Sequence, residues 1–409
     1  MTNYFATRRS LLTGAGAVFA WAYLPEFARA AGERDPRLVV IILRGALDGL
    51  SAVAPVGDPD YLALHGSLAL SLGGDHPALP LDSFFALNPA MPVLKRLYDQ
   101  RQAAIIHAVA SPYRDRSHFD GQDVLESGYP APGSTRSGWL NRALAALPKG
   151  DRVGASNGLG IGPVTPLVLR GSAPVLGWAP QNLPHASDDL AARLLDLYAH
   201  RDPALGEALS RGLEIDRIAL RQGMDDGAAK ARAGYNAIAG MRQAAQGAAS
   251  LMAADDGPRI AALAFEGWDT HANEGGGSGR LAQLLGGLDG AFDEIQKGLG
   301  PLWKDTVVVA VTEFGRTARI NGTTGTDHGT GTIAFLAGGA IAGGRVIADW
   351  PGLKDTQLYQ NRDLAPTADL RAALKGVLTD HLGLSTAALG DAVFPESSRV
   401  KPMKGLVAG

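Results

Sequence analysis

Five short runs along the chain are apolar at almost every position: residues 38–43, 104–109, 260–265, 306–311 and 332–337. A strand with one wet face alternates apolar and polar residues. An unbroken apolar run is buried on both faces, as in a parallel central sheet. Between these runs the period changes. Residues 89–102 carry apolar side chains at helical spacing, and 279–299 places Leu281, Leu284, Leu285, Leu288, Phe292 and Ile295 on one side. Strands alternating with helices define an α/β fold, a mostly parallel central sheet flanked by helices. Residues 187–256 are alanine-rich, charged and helical in pattern. They read as a helical insertion or cap, set off by the loop near Pro180 and Pro184 and by the break at residues 255–258. Gly158-Leu159-Gly160-Ile161-Gly162 has no helix behind it and reads as a turn rather than a phosphate cradle.

The first thirty residues follow another logic. Thr7-Arg8-Arg9-Ser10-Leu11-Leu12 opens an apolar run, residues 11–24, which ends before Ala28-Arg29-Ala30. Paired arginines, a short glycine-broken apolar stretch and a small-x-small site form the pattern of a twin-arginine export signal. As a helix that run spans about 21 Å, short of a bilayer core of about 30 Å. Residues 1–30 are therefore expected to be a signal peptide, with 31–409 as one α/β domain delivered to the periplasm or beyond. No transmembrane segment is expected once the signal is removed.

Composition changes this picture in two places. Among 409 residues with a formal net charge of −3 there is no block of like charge, so nucleic acid is not an expected partner. Cysteine is absent. That excludes disulfides, thiolate nucleophiles and cysteine-ligated metal clusters.

Ligands of open α/β sheets sit beyond the carboxyl ends of the strands, so the residues after each run are the candidates. Asp48 follows the first run. Arg116, Ser117 and His118 follow the second, Asp269 and His271 the third, and Glu313 the fourth. Asp327 and His328 stand just before the fifth. Singly, each has an ordinary reading. Asp48 could be a turn residue, Ser117 a helix cap with Asp120 three places on, Asp269 an Asx turn beside His271, and Glu313 a partner of Arg316. Together they place carboxylates and imidazoles at all five strands. Oxygen and nitrogen donors without thiolate suit zinc, manganese, magnesium or calcium. Two such ions would clamp the attacking and leaving oxygens of a phosphoryl or sulfuryl group. A serine opening a helix presents its hydroxyl where the helix end stabilises an anion. Arg44, Arg114, Arg116 and Arg316 could hold the remaining oxygens bidentately. His65, His76, His107, His185, His200 and His381 lie outside these clusters and read as structural or exposed.

The segments RGALDGLS, HAVASPYRDRSHFDGQDVLESG, FEGWDTHANEGG, VTEFGRTARINGTTGTDHGTGTIAFLAGG and GGRVIADWPGL resemble the exported bacterial family called domain of unknown function fifteen-oh-one. That family is similar to the alkaline-phosphatase and sulfatase superfamily. The resemblance implies an alkaline-phosphatase-like fold with Ser117 as nucleophile. It implies Asp269, His271 and His328 on a first metal, and Asp48 and Glu313 on a second. Three departures stand out. Glu313-Phe314 replaces an adjacent Asp-His pair, unless Asp327-His328 is itself that pair. Asp269 and His271 are closer in sequence than in relatives. Asn88 stands where a histidine is expected. Two functions follow. One is a metal-dependent hydrolase of small phosphate or sulfate esters, with one or two metals. The other is a non-catalytic binding or assembly protein for an exported partner, with a degenerate metal site. The lack of cysteine excludes a cysteine-derived formylglycine, which puts phosphatase, phosphodiesterase and phosphonatase chemistry ahead of sulfatase chemistry. No Gly-x-Ser-x-Gly elbow occurs, which disfavours a serine hydrolase of the α/β-hydrolase kind.

Overall fold

Alternate side chains leave a strand on opposite sides, so an all-apolar run must be covered twice. In β1 (Arg37–Arg44), Val39, Ile41 and Leu43 enter one core while Leu38, Val40 and Ile42 enter another. The other strands of the same sheet are β2 (Ala103–Ala110), β3 (Gly158–Ile161), β4 (Val175–Trp178), β5 (Ile260–Glu266), β6 (Thr306–Thr312), β7 (Thr332–Ala337), β8 (Arg345–Ile347) and β9 (Ala368–Asp369). All five apolar runs are strands, with ends within one residue of the expected ones. The computed structural model describes residues 34–147, 158–162, 164–179, 194–195, 198, 202–221 and 237–408. The export-signal segment and the loop at Pro180 and Pro184 lie outside them. Everything below concerns the compact unit Arg37–Gly409.

The sheet order is β8-β2-β7-β6-β1-β5-β3-β4, with β9 also paired to β2. Every pairing is parallel except the two made by β7, which runs against both β2 and β6. The start of β7 therefore lies at the same sheet edge as the ends of β1, β2, β5 and β6. The chain before Thr332 and the loops after the other four strands meet there.

Helices complete the layers: α1 (Gly49–Ala52), α2 (Tyr61–His65), α3 (Pro92–Asp99), α4 (His118–Ser127), α5 (Trp139–Ala146), α6 (Pro203–Arg221), α7 (Ala237–Ala253), α8 (Arg280–Leu299) and α9 (Leu370–Leu382). On one face α3, α7 and α8 cover the sheet through Leu94, Leu97, Met241, Met252, Leu285 and Phe292. On the other, α5 and α9 do so through Trp139, Leu140, Leu374 and Val377. Gly287 of α8 faces Ile238 and Met241, and small residues at such a crossing let two helix backbones approach closely. The described part of the 187–256 stretch thus supplies core: Ile215 and Ile218 of α6 join the same cluster as α7. Gly158–Ile161, expected as a turn, is a strand between β5 and β4. Its Gly158 sits against Leu144 and Val175, where a larger residue would collide.

Among the described residues no helix is long and apolar enough to cross a membrane.

Candidate metal centre

At the shared sheet edge three imidazoles and one carboxylate converge. His118, the first residue of α4, has Nε2 3.5 Å from Oδ2 of Asp269, in the loop after β5. His328, before β7, has Nε2 3.4 Å from Oδ1 of Asp269. His271 Nε2 lies 3.1 Å from that oxygen and 3.0 Å from His328 Nε2. His118, Asp269 and His328 offer donor atoms within 4.8 Å of one another, the spacing of groups able to hold one metal ion.

Each imidazole is held from behind. His118 Nδ1 donates to Glu313 Oε1 at 2.8 Å, His271 Nδ1 to Asp327 Oδ1 at 3.2 Å, and His328 Nδ1 to the carbonyl of Arg116 at 2.9 Å. An oxygen acceptor at Nδ1 fixes the tautomer and leaves the Nε2 lone pair facing inward, the usual arrangement behind metal-bound histidine. The consequence is electrostatic. With both Nδ1 atoms donating, His271 and His328 turn two lone pairs toward each other at 3.0 Å, a crowding that a metal ion bound between them would relieve. His118 Nε2 is itself buried without a hydrogen-bond partner. These donors therefore fit a divalent metal of the nitrogen-and-oxygen-binding kind.

The electrostatics are consistent. The hydrogen bond His118 donates to Glu313 outweighs burial and raises the His118 pKa, with the charges of Glu313 and Asp269 adding to it. Burial and the neighbouring His118 lower His328. Burial alone would raise Asp269, but the hydrogen bond and charge of Arg316 hold it below the ordinary carboxylate range. Glu313, fully buried, is held low against burial by His118, Gln122 and the Gly45 amide. In metal-free protein the His118 contribution to stability is complete below its ordinary value of 6.5 and fades as pH rises through the raised one. The Glu313 contribution is complete above its ordinary 4.5 and fades as pH falls through the lowered one. The pair therefore stabilises fully between those two ordinary values. Metal must displace the proton on His118 Nε2, so uptake near pH 6.5 should release on the order of one proton. Calorimetry in two buffers of different protonation enthalpy checks this, and Glu313→Gln should reduce the release.

The remaining candidates are placed differently. Glu313 and Asp327 stand behind histidines, and Phe314 stacks on the His118 ring at 5.1 Å between centroids. Asp48 is engaged by its own neighbours. Its Oδ1 accepts from the amides of Leu50 and Ser51, capping α1, and its Oδ2 lies 3.2 Å from Nε2 of buried His65. Asn88 ties the Ser51 and Gly276 carbonyls together. All four candidate arginines are engaged within the protein: Arg44 with Glu126 and Glu266, Arg114 with two carbonyls, Arg116 with Asp363 and Gln360, and Arg316 with Asp269 and Thr326. Each guanidinium satisfies a local acceptor; Arg116 does so through Nε and Nη2 and Arg114 through Nη1. Arg116 also adopts a left-handed backbone, φ 60°, uncommon for a residue other than glycine and frequent at functional sites.

Ser117 precedes α4 without capping it. Its side chain makes no capping hydrogen bond, and its amide donates instead to the Tyr113 hydroxyl at 3.2 Å. Glu274 was not singled out in the sequence, because nothing local distinguishes a buried glutamate from a solvated one. Its side chain is wholly buried beside Asp48. Burial and the Asp48 charge push it up to about 9. Asp48 goes down to about 2, with His65 and Ser51 overcoming burial. The proton of the pair sits on Glu274, which has no cation in contact, whereas Asp48 has His65 and two amides. Asp48 Oδ2 and Glu274 Oε1 are otherwise both without a hydrogen-bond partner.

Fold and site together define an α/β protein with a histidine- and aspartate-lined cluster at the carboxyl edge of a mostly parallel sheet. A family model described as Protein of unknown function (DUF1501) matches residues 99–393, and the chain belongs to that family. A comparison with curated proteins finds no match. Among solved structures it is similar to Ps i-CgsB, at 11% identity over 90% of this chain and 75% of that one, TM-score 0.38. It is also similar to the phosphonate monoester hydrolase of Agrobacterium radiobacter, at 12% identity over 86% and 74%, TM-score 0.34. A Bacteroides thetaiotaomicron protein described with the metabolism of multiple glycosaminoglycans shares 10% identity over 90% and 76%, TM-score 0.36. Similarities of that size do not bear on chemistry.

Proposed function

We propose that this is an exported, metal-dependent hydrolase of small phosphate or sulfate esters. Its single metal would be held by His118, Asp269 and His328, with His271 beside them. The observation that carries the reading is the 3.0 Å approach of His271 Nε2 to His328 Nε2 while both Nδ1 atoms donate to oxygens. A divalent ion bound there supplies Lewis-acid charge neutralisation for ester oxygens. The chain's own residues do the rest. Ser117 offers a hydroxyl uncommitted to helix capping, at the N-terminus of a ten-residue helix whose free amides favour an anion. Its Oγ would form the bond to phosphorus or sulfur as the ester oxygen departs with the bonding pair, the hydroxyl proton passing to that departing oxygen. Water would then release the acid and restore the hydroxyl. Glu313 and Asp327 keep the imidazoles aligned, and buried Phe314 excludes water behind His118.

The local engagement of the arginines and of Asp48 favours the second reading, a binding protein with a degenerate site. One experiment separates the two. Native protein from the exported fraction of its host should carry about one metal equivalent, lose it in Asp269→Ala, and turn over a nitrophenyl phosphate or sulfate. Recovery only from the cytoplasm would defeat the export reading. Metal without turnover across an ester panel would favour the binding protein, and no metal at all would end the hydrolase reading and leave the binding protein as the better account.

A further inference from the structure

The carboxylate of Asp269 is 40% exposed on a loop, yet it faces the imidazoles because Arg316 holds it. Arg316 is fully buried, with Nη1 donating to Asp269 Oδ1 at 2.6 Å, Nε donating to Thr326 Oγ1 at 3.1 Å, and Nη2 donating to the Thr326 carbonyl. A guanidinium is a rigid fork, so whatever fixes two of its donors fixes the third. The Thr326 hydroxyl has one hydrogen. Because it accepts from Arg316, that hydrogen is free to donate elsewhere, and it goes to Glu274 Oε2 at 2.6 Å. Glu274 is in turn anchored through its backbone, its amide donating to the Thr324 carbonyl and its carbonyl accepting from the Leu281 amide. Its second oxygen adjoins Asp48, which α1 and His65 immobilise. A continuous buried strut thus runs from His65 and Asp48 through Glu274, Thr326 and Arg316 to Asp269.

We propose that Glu274 is a positioning residue that, through Thr326 and Arg316, holds Asp269 toward His118 and His328 and so sets the affinity of the centre for a divalent metal. This rests on the metal-centre reading above and adds to it a residue that touches none of the metal's donor atoms. It also gives Asp48 a part at the far end of the strut.

The test is zinc affinity of the full chain, measured by competition with a chromophoric chelator, together with the visible spectrum of the cobalt-loaded protein. Glu274→Leu removes the acceptor for Thr326 and should weaken zinc binding about 10- to 100-fold, the usual loss when an outer-shell partner of a metal ligand is removed. Glu274→Gln keeps an acceptor for Thr326 and gains a donor for Asp48, as the neutral acid does. It should restore affinity to within about threefold and return the cobalt spectrum to that of the parent protein. Thr326→Val breaks the strut at its middle and should match Glu274→Leu, which keeps the test open if the leucine variant fails to fold. Zinc affinity unchanged in both Glu274→Leu and Thr326→Val overturns the proposal. A glutamine variant as weak as the leucine variant does so too, since a merely structural role predicts that. If the parent protein binds zinc but turns over no ester, the hydrolase reading falls and the positioning role stands. If it binds no divalent metal, both fall.

Discussion

Ser117→Ala is expected to lower kcat on any ester the protein hydrolyses by at least about a thousandfold, with metal content unchanged. Deleting the nucleophile of an enzyme that works through a covalent intermediate typically costs that much or more. The same substitution tests the ordinary alternative. A serine that caps a helix contributes about 1 kcal/mol, which alanine forfeits. Here the side chain makes no capping bond and the amide is satisfied by Tyr113, so the urea midpoint should hardly move. A variant that keeps its rate but loses stability would make Ser117 a cap and remove it from the chemistry.

The second large effect lies at Gly45. This residue has φ 124°, a backbone conformation that disfavours any side chain, and a Cβ there would run into the backbone of Trp268 and Asp269. Its amide also donates to Glu313 Oε1 at 2.9 Å. Gly45 is thus where the loop after β1 lies directly on the loop that carries Asp269, and it touches the carboxylate behind His118 as well. Gly45→Ala should destabilise the fold by about 2–4 kcal/mol, combining backbone strain with overpacking. It should also cost more than tenfold in metal affinity by displacing Asp269. Urea unfolding and metal retention on dialysis measure the two effects. Ordinary stability with full metal retention would show that the two loops are not coupled.

The strands were legible because burial on both faces writes an unbroken apolar run, and nothing else in the chain writes one so cleanly. The direction of β7 was not. Buried parallel and antiparallel strands look alike in sequence, and the stretch between β6 and β7 is long enough for either connection. The helix expected over 89–102 is shorter in the structure, Pro92–Asp99. Pro92 fixes its start, and Arg101, with a left-handed backbone, lies beyond its end. The strand Gly158–Ile161 hid because glycine, which has no side chain to pack, carries a turn signal whatever its surroundings. At the site, the strand-end rule brought His118, Asp269, His271 and His328 to attention, and the structure brings these four together. The roles of Asp48 and Glu313 depend on neighbours remote in sequence. His65 claims the first and His118 the second, and no local spacing announces either pairing. Glu274 was hidden for the same reason.

The reversed strand has a consequence for how the molecule is made. β2, which leads into Ser117 and His118, joins β6, β1 and β5 only through β7. A growing chain that has not yet produced Thr332–Ala337 has its sheet in two pieces, with Asp269 on one piece and His118 on the other. The centre cannot be assembled progressively as the ribosome delivers each ligand. Its last donor, His328, and the strand that joins the two pieces lie more than two hundred residues beyond the end of β2. A metal held at this centre would therefore report that β7 is in place, joining the strand before His118 to the strands before Asp269.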